Sequence, residues 1–352
     1  MKCDNCNKPA TVHLTEIKSG KKIEKHLCEQ CAAQNEGLPV KSHMPINELL
    51  TNFVMQHSGL TKETATTCEQ CGVTWAEFVS AYVEMGAQVT LVSSRDRVLP
   101  GEDADAAAVL QDVFAERGVE ILAQARAESV RRDGDGVVVT LADGRTVTGS
   151  HALMTVGSVP NTGELALEKV GITTGRGGFI AVDRVSRTSV PGIYAAGDCT
   201  GLLMLASVAA MQGRIAMWHA LGEGVMPIKL KTVSAAVFTR PEIATVGISQ
   251  RAIDAGEVPA RTIMLPLSTN PRAKMQGLRR GFVKLFCRPA TGVVVGGVVV
   301  APVASELILP IALAVQNGLT VADLAYTFSV YPSLSGSITE AGRQLMRHGD
   351  LD

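Results

Sequence analysis

Charge of neither sign is in excess: 33 lysines and arginines stand against 34 aspartates and glutamates, a formal net charge of -1. That balance excludes a global attraction to nucleic acid or an anionic membrane. No positively charged start runs into a long apolar segment, so a secretory signal is not expected. The most apolar stretch, 292–315, is interrupted by Pro302, Glu306 and Pro310 and reads as buried core rather than a membrane span. Arginine is absent from residues 1–78, which hold eight lysines, whereas residues 79–352 hold five lysines and twenty arginines. Either cation suits a soluble surface, so the partition marks two segments of different origin. Cysteine is nearly absent beyond residue 72, because six of the eight precede it in three CxxC pairs. Without an export signal, that clustering favours metal binding in a reducing cytoplasm over a secreted disulfide scaffold.

What is present fills two or three domains, the expectation for 352 residues with 46% apolar side chains. Cys3-x-x-Cys6 and Cys28-x-x-Cys31 supply four thiolates in two knuckles, a set suited to a tetrahedral zinc ion. The segments 11–17 and 21–27 alternate around Ser19-Gly20 and predict a hairpin holding the knuckles together. A redox pair or plain core cysteines are the alternatives, and His13 and His26 read as strand surface residues. After the Gly37-Leu-Pro39 break, Ile46, Leu49, Leu50, Phe53 and Val54 fall at helical spacing. That short helix either covers the neighbouring module or binds a partner.

Residues 1–78 resemble the N-terminal zinc-binding region of the protein arginine kinase activator family. The likeness runs from Met1-Lys-Cys3 through His26-Leu-Cys28-Glu-Gln-Cys31-Ala and resumes at Cys68-Glu-Gln-Cys71-Gly-Val-Thr-Trp-Ala-Glu-Phe78. It implies a zinc-binding adaptor with a protein partner. In that family a further cysteine pair completes a second metal site soon afterwards; here the next cysteine is Cys199, so Cys68 and Cys71 make only half a site.

Downstream the pattern is α/β. Residues 79–85 predict a helix ended by Gly86, 88–92 a strand, 103–117 a helix, 118–122 a strand, 137–147 a hairpin turned at Asp143-Gly144, and 151–156 a strand. A dinucleotide fingerprint at the entrance is damaged: with Gly72 as the central glycine, Gln70 takes the first position and Trp75 the third.

From about Gly72 onward the chain resembles the pyridine nucleotide-disulfide oxidoreductase family. The anchors are Gly157-Ser-Val-Pro-Asn-Thr162, Gly192-Ile-Tyr-Ala-Ala-Gly-Asp-Cys-Thr-Gly201, Phe238-Thr-Arg-Pro-Glu-Ile-Ala-Thr-Val-Gly247 and the block 302–317. The likeness implies an incomplete two-dinucleotide-binding-domain α/β flavoprotein with an α+β interface domain, preceded by the small zinc-knuckle module. The implied boundaries are 1–36 for the zinc module, 37–67 for a linker, 68–160 for an incomplete NAD(P)-binding domain, 161–227 for the returning part of an FAD domain, and 228–352 for an interface domain that makes a homodimer. Strands at 282–286 and 293–300 and helices at 304–317 and 321–328 are expected in the last. The implied cofactors are FAD, NAD(P) and zinc. Cofactor positions are Gly72, Glu77, Arg95, Gly157, Gly197, Asp198 and Gly201, with Asp198 hydrogen-bonding a flavin-side hydroxyl and the last two glycines permitting close backbone approach. Ser93-Ser94-Arg95 replaces the acidic residue expected for NAD, so Arg95 or Arg97 could take a 2'-phosphate.

The family's catalytic CxxxxC pair is missing, and Tyr331-Pro332 stands where a His-Pro base is expected. Gly336 falls at the expected glutamate, with Glu340 four residues later. A tyrosine of pKa ~10 is a poor neutral-pH base. The branch resembling NAD(P)H:quinone reductases, which needs no protein disulfide, fits best, with activity impaired by the missing FAD half-domain. A zinc adaptor and a nonfunctional fusion are the alternatives.

Overall fold

The computed structural model describes residues 2–6, 8, 12–18, 21–27, 31, 75–155 and 157–346. The chain divides into two compact units, 1–65 and 66–352, each described by itself.

In the first unit, β1 (Val12–Lys18) pairs antiparallel with β2 (Lys21–Leu27), Val12 opposite Leu27 and Lys18 opposite Lys21. The expected hairpin is therefore formed, with only Ser19-Gly20 left to connect the strands. The helix expected within 40–66, Cys28, and the Cys68 to Gly72 segment lie outside the described residues.

The second unit opens with α1 (Trp75–Glu84), which buries Ala76, Val79 and Ser80 and stops before Gly86, whose φ of 88° no side chain tolerates easily. Next come β3 (Thr90–Val92), α2 (Ala104–Glu116) and β4 (Glu120–Leu122). β3 and β4 are parallel, Thr90 opposite Glu120, so α2 is their crossover helix. Asp103 caps α2 by accepting from the Asp105 and Ala106 N–H groups at 3.0 and 3.2 Å. An antiparallel meander follows: β5 (Ala127–Asp133), β6 (Gly136–Leu141) and β7 (Thr146–Gly149). The strand expected at 151–156 is not formed over 151–155; those residues are mostly exposed and no ladder partner pairs with them among the described residues. After α3 (Ala206–Ala220), a five-stranded antiparallel sheet is built from β8 (Ser234–Val237), β9 (Glu242–Gly247), β10 (Arg261–Pro266), β11 (Phe282–Cys287) and β12 (Val294–Ala301), in the order β10-β11-β12-β9-β8. Two short helices, α4 (Gln250–Asp254) and α5 (Pro271–Met275), interrupt the strands. The chain then continues through α6 (Ala304–Leu307), α7 (Leu309–Asn317), α8 (Val321–Tyr326) and α9 (Gly336–Leu345). The single helix expected at 304–317 is two, because Pro310 offers no N–H to the preceding turn.

β11 and β12 are buried on both faces, and their period of two sorts the side chains into separate cores. Val283, Leu285 and Val299 pack with Ile308, Ile311, Ala314, Leu324, Ile338 and Leu345. Phe282, Phe286, Val298 and Val300 pack instead with Ala76, Val98, Ala106, Leu110 and Phe114 of the βαβ segment. The antiparallel sheet is thereby the shared wall of the second unit. Lys284, on the same face as the two phenylalanines, is 2% exposed and reaches the buried Asp103 carboxylate at 2.8 and 2.9 Å and the exposed Asp105 at 2.5 Å, closing the joint with charge.

Candidate functional site

Residues 192–201 carry the turn on which the flavin reading depends. Gly197 has φ 85° and ψ -157°, a conformation reserved for glycine, and Asp198 to Thr200 make one tight 3-10 turn closed by Gly201 at φ 66°. Gln212, fully buried on α3, accepts the Gly197 N–H at 2.8 Å through Oε1 and donates to Thr200 Oγ1 at 3.3 Å. Thr200 Oγ1 in turn donates to the Gly197 carbonyl at 2.7 Å. The polar groups on the inner side of the turn are thus satisfied internally. Asp198, at its outer side, is exposed, and no donor among the described residues holds its carboxylate. A pre-set turn with one unengaged carboxylate can accept from a ligand hydroxyl without first breaking a protein bond.

The two glycines answer to protein packing rather than to open space. A methyl group at Gly201 would lie 2.7 Å from the Phe179 ring, and one at Gly197 would lie 3.2 Å from the Ala209 methyl. Close approach is required there as expected, but Phe179 and α3 make it. Gly157, at φ 105°, has nothing within 4 Å of such a methyl and borders open space. Tyr194 Oη and His219 Nδ1 lie 2.7 Å apart and tie the segment to the end of α3. Burial and the adjacent Asp198 charge push the Cys199 thiol up, and its Sγ contacts the Ala196 carbonyl at 3.4 Å. A raised thiol of this kind does not favour a thiolate nucleophile.

The remaining cofactor positions are spread along the βαβ segment. Glu77 accepts the Phe238 N–H at 2.7 Å, and beside it Ser80 accepts the Arg240 N–H at 3.1 Å, so α1 holds the loop before β9. Arg240 and Arg117 both reach Glu84 at 3.1 Å. Arg95 follows β3, exposed and without an ion pair among the described residues, while the half-buried Arg97 keeps its Nε without a hydrogen-bond partner. Two cations at the end of a parallel strand, one with an orphaned donor, suit the phosphorylated ribose of a nicotinamide nucleotide. Gly72 lies outside the described residues.

Near the C-terminus Tyr331 is 81% exposed. Gly336 opens α9, and Glu340 is held below the usual carboxylate range by its hydrogen bonds from Arg343 at 2.7 and 2.5 Å, with Gln344 adding another. No imidazole–carboxylate base is assembled from these residues. Sequence reasoning missed Gln212; its only signal is one amide in the otherwise small and apolar run Ala209-Ala-Met-Gln-Gly213.

In the first unit Cys3, Cys6 and Cys31 converge, their Sγ atoms all within 4.8 Å and Cys6 to Cys31 at 3.6 Å. The Cys3 N–H donates to the Lys8 carbonyl at 2.9 Å, bending the first knuckle. Zinc–sulfur bonds of about 2.3 Å set tetrahedral sulfurs about 3.8 Å apart, so the spacing fits a metal and is far beyond a disulfide bond of about 2 Å.

A parallel βαβ crossover packed on an antiparallel α+β sheet, with a glycine-framed aspartate turn, defines the second unit as a dinucleotide-type α/β protein with an appended interface domain. Residues 71–213 match the family described as pyridine nucleotide-disulphide oxidoreductase, and residues 233–342 match its dimerisation domain. The chain belongs to the pyridine nucleotide-disulphide oxidoreductase family. It is 72% identical over 281 residues to an NAD(P)H dehydrogenase (quinone) of Mycobacterium tuberculosis, an overlap covering 80% of this chain and 57% of that protein. A dihydrolipoyl dehydrogenase of Geobacillus stearothermophilus is 35% identical over 269 residues, 75% of this chain and 57% of the relative. The crystal structure of LpdA from Mycobacterium tuberculosis superposes with a TM-score of 0.75 at 54% identity, covering 96% of this chain and 75% of that one. The flavoprotein disulfide reductase RclA of Escherichia coli gives a TM-score of 0.72 at 26% identity, over 77% and 62% of the respective chains. The chain spans a little over half the length of the curated relatives it matches. Both family matches begin after residue 70 and favour the oxidoreductase reading over the zinc adaptor.

Proposed function

We propose that the second unit is part of an NAD(P)H oxidoreductase that passes electrons through FAD to a quinone-like or other diffusible acceptor, as a homodimer built on residues 233–342. The observation that carries this reading is the 72% identity to an NAD(P)H dehydrogenase (quinone) across the segment that includes the Gly197–Gly201 turn. Bound FAD would supply the two-electron relay between nicotinamide and acceptor. Asp198 would hold it by accepting from a hydroxyl, while Gln212 and Thr200 keep the turn rigid. Arg95 or Arg97 would take the 2'-phosphate where the nicotinamide nucleotide carries one. Tyr331 in place of an imidazole favours an acceptor that takes electrons directly over a thiol relay.

The 352 residues by themselves are expected to retain little FAD, because side chains in one turn cannot replace the backbone that would surround the rest of the cofactor. Flavin absorbance of the purified chain, with and without added FAD, tests this together with NADH and NADPH oxidation by a soluble quinone. Asp198→Ala should weaken whatever FAD binding is measured while leaving the melting temperature unchanged, since the side chain is exposed and unengaged. Loss of folding in that variant would refute a ligand role.

A zinc ion on Cys3, Cys6 and Cys31, completed by Cys28, is a second reading, supported by the sulfur spacing. It would make the first unit a metal-stabilised module, able to serve as a docking element for a protein partner. Metal analysis of the full chain should find about one zinc per chain, falling sharply in Cys3→Ser and Cys31→Ser. Unchanged metal content in both variants would sink the assignment.

A further inference from the structure

A cavity of about 480 Å³ opens between residues 182–184 and 228–232, next to the flavin-side turn but lined by none of its cofactor residues. Its floor is apolar, formed by Leu202, Ile228 and Leu230, with Leu202 36% exposed. Its rim carries Arg184, Lys229 and Lys231, all exposed. The two walls are tied together, since the Ile228 N–H donates to the Arg184 carbonyl at 3.0 Å. Thr232 pins the second wall by donating to the Lys229 carbonyl through N–H at 3.1 Å and Oγ1 at 3.0 Å. The cavity is therefore a formed feature of two fixed segments.

One acid sits beside these three cations, and it is committed elsewhere. Asp183 accepts from the Val185 and Arg187 N–H groups at 2.9 and 3.0 Å and from Arg187 Nε at 3.1 Å. Burial pushes its carboxyl up, but the hydrogen bonds from Arg187 and Val185 outweigh this and hold it below the usual range. No carboxylate among the described residues pairs with Arg184, Lys229 or Lys231. An apolar floor of this size would hold a small ring system, and unpaired cations at its edge would favour a negative headgroup.

We propose that this cavity binds an amphipathic organic anion, its apolar body against Leu202, Ile228 and Leu230 and its carboxylate, sulfonate or phosphate on Arg184, Lys229 and Lys231. The site is distinct from the cofactor turn, and nothing in its chemistry calls for a bound flavin.

Isothermal titration of the full chain with naphthalene-2-sulfonate tests it, with neutral 2-naphthol and inorganic sulfate as comparisons. Saturable one-to-one binding is expected, with both comparison molecules about tenfold weaker or worse, the effect of one lost charge-assisted bond or an empty apolar floor. The Lys229→Glu/Lys231→Glu variant should lose about tenfold or more in Kd, and Lys229→Arg/Lys231→Arg should stay within about twofold. Binding should also weaken steeply from about 0.05 to about 0.5 M salt, which tests the charges without any substitution. Equal binding of 2-naphthol or of sulfate, indifference to charge reversal and salt, or no saturable binding would each overturn the proposal. The readout needs neither flavin nor turnover, so its failure leaves the oxidoreductase reading standing.

Discussion

Glu102 and Asp103 stand side by side at the start of α2 and behave differently. Asp103 spends its carboxylate on the helix cap and on Lys284. Burial, and then the Asp103 charge, push the Glu102 carboxyl above its ordinary value. A carboxyl raised in the folded state binds its proton more tightly there than in the unfolded chain, so stability falls as pH rises through that range. Glu102→Gln should therefore raise the melting temperature at pH 7, and the gain should shrink towards zero as pH falls below the ordinary glutamate range. A melting-temperature series against pH checks both the sign and the window. A constant offset at every pH would show that the substitution acts by packing instead.

Between elements, the decisive contact joins β11 to the N-terminus of α2. The side chains of Lys284 and Asp103 are 2% and 3% exposed, and removing the lysine leaves the Asp103 carboxylate buried without its cation. Lys284→Met should destabilise the second unit by about 3–5 kcal/mol in urea unfolding, and Lys284→Met with Asp103→Asn by clearly less than the two single changes added. Additive losses would mean that the pair contributes no coupling. Elements with local punctuation were legible in the sequence. Gly86 ends α1 as expected, while the Asp103 cap on α2 and the Thr320–Asp323 capping box on α8 are added by the structure. Others were set by neighbours that no local pattern reports. β5 is exposed along its whole length and shows no alternation, so the expected hairpin forms as β6 and β7 but gains β5 as an unforeseen third strand. The apolar run at 151–155 finds no strand to pair with among the described residues. In the turn, Gly197 and Gly201 were singled out through the family resemblance, and both stand at positive φ. Gln212 was not, since its role depends on α3 returning beneath the turn. The reason for Gly201 also came only from the structure, in the ring of Phe179.

For the molecule as a whole, one antiparallel sheet serves two cores, so the βαβ segment and the interface domain hold together through 66–352. What the same residues leave uncovered is the outer side of α3 and the segment before it. Leu203, Met204, Met211, Met217 and Trp218 are between 37% and 60% exposed beside the Asp198 turn. A folded unit with the Gly197–Gly201 turn preformed is what the structure describes. The most direct test is the visible spectrum of the purified full chain after incubation with FAD and desalting, followed by NADH under anaerobic conditions. The account predicts a cooperatively folded protein with far less than one flavin per chain and no bleaching by NADH. Stoichiometric flavin that NADH reduces would contradict it.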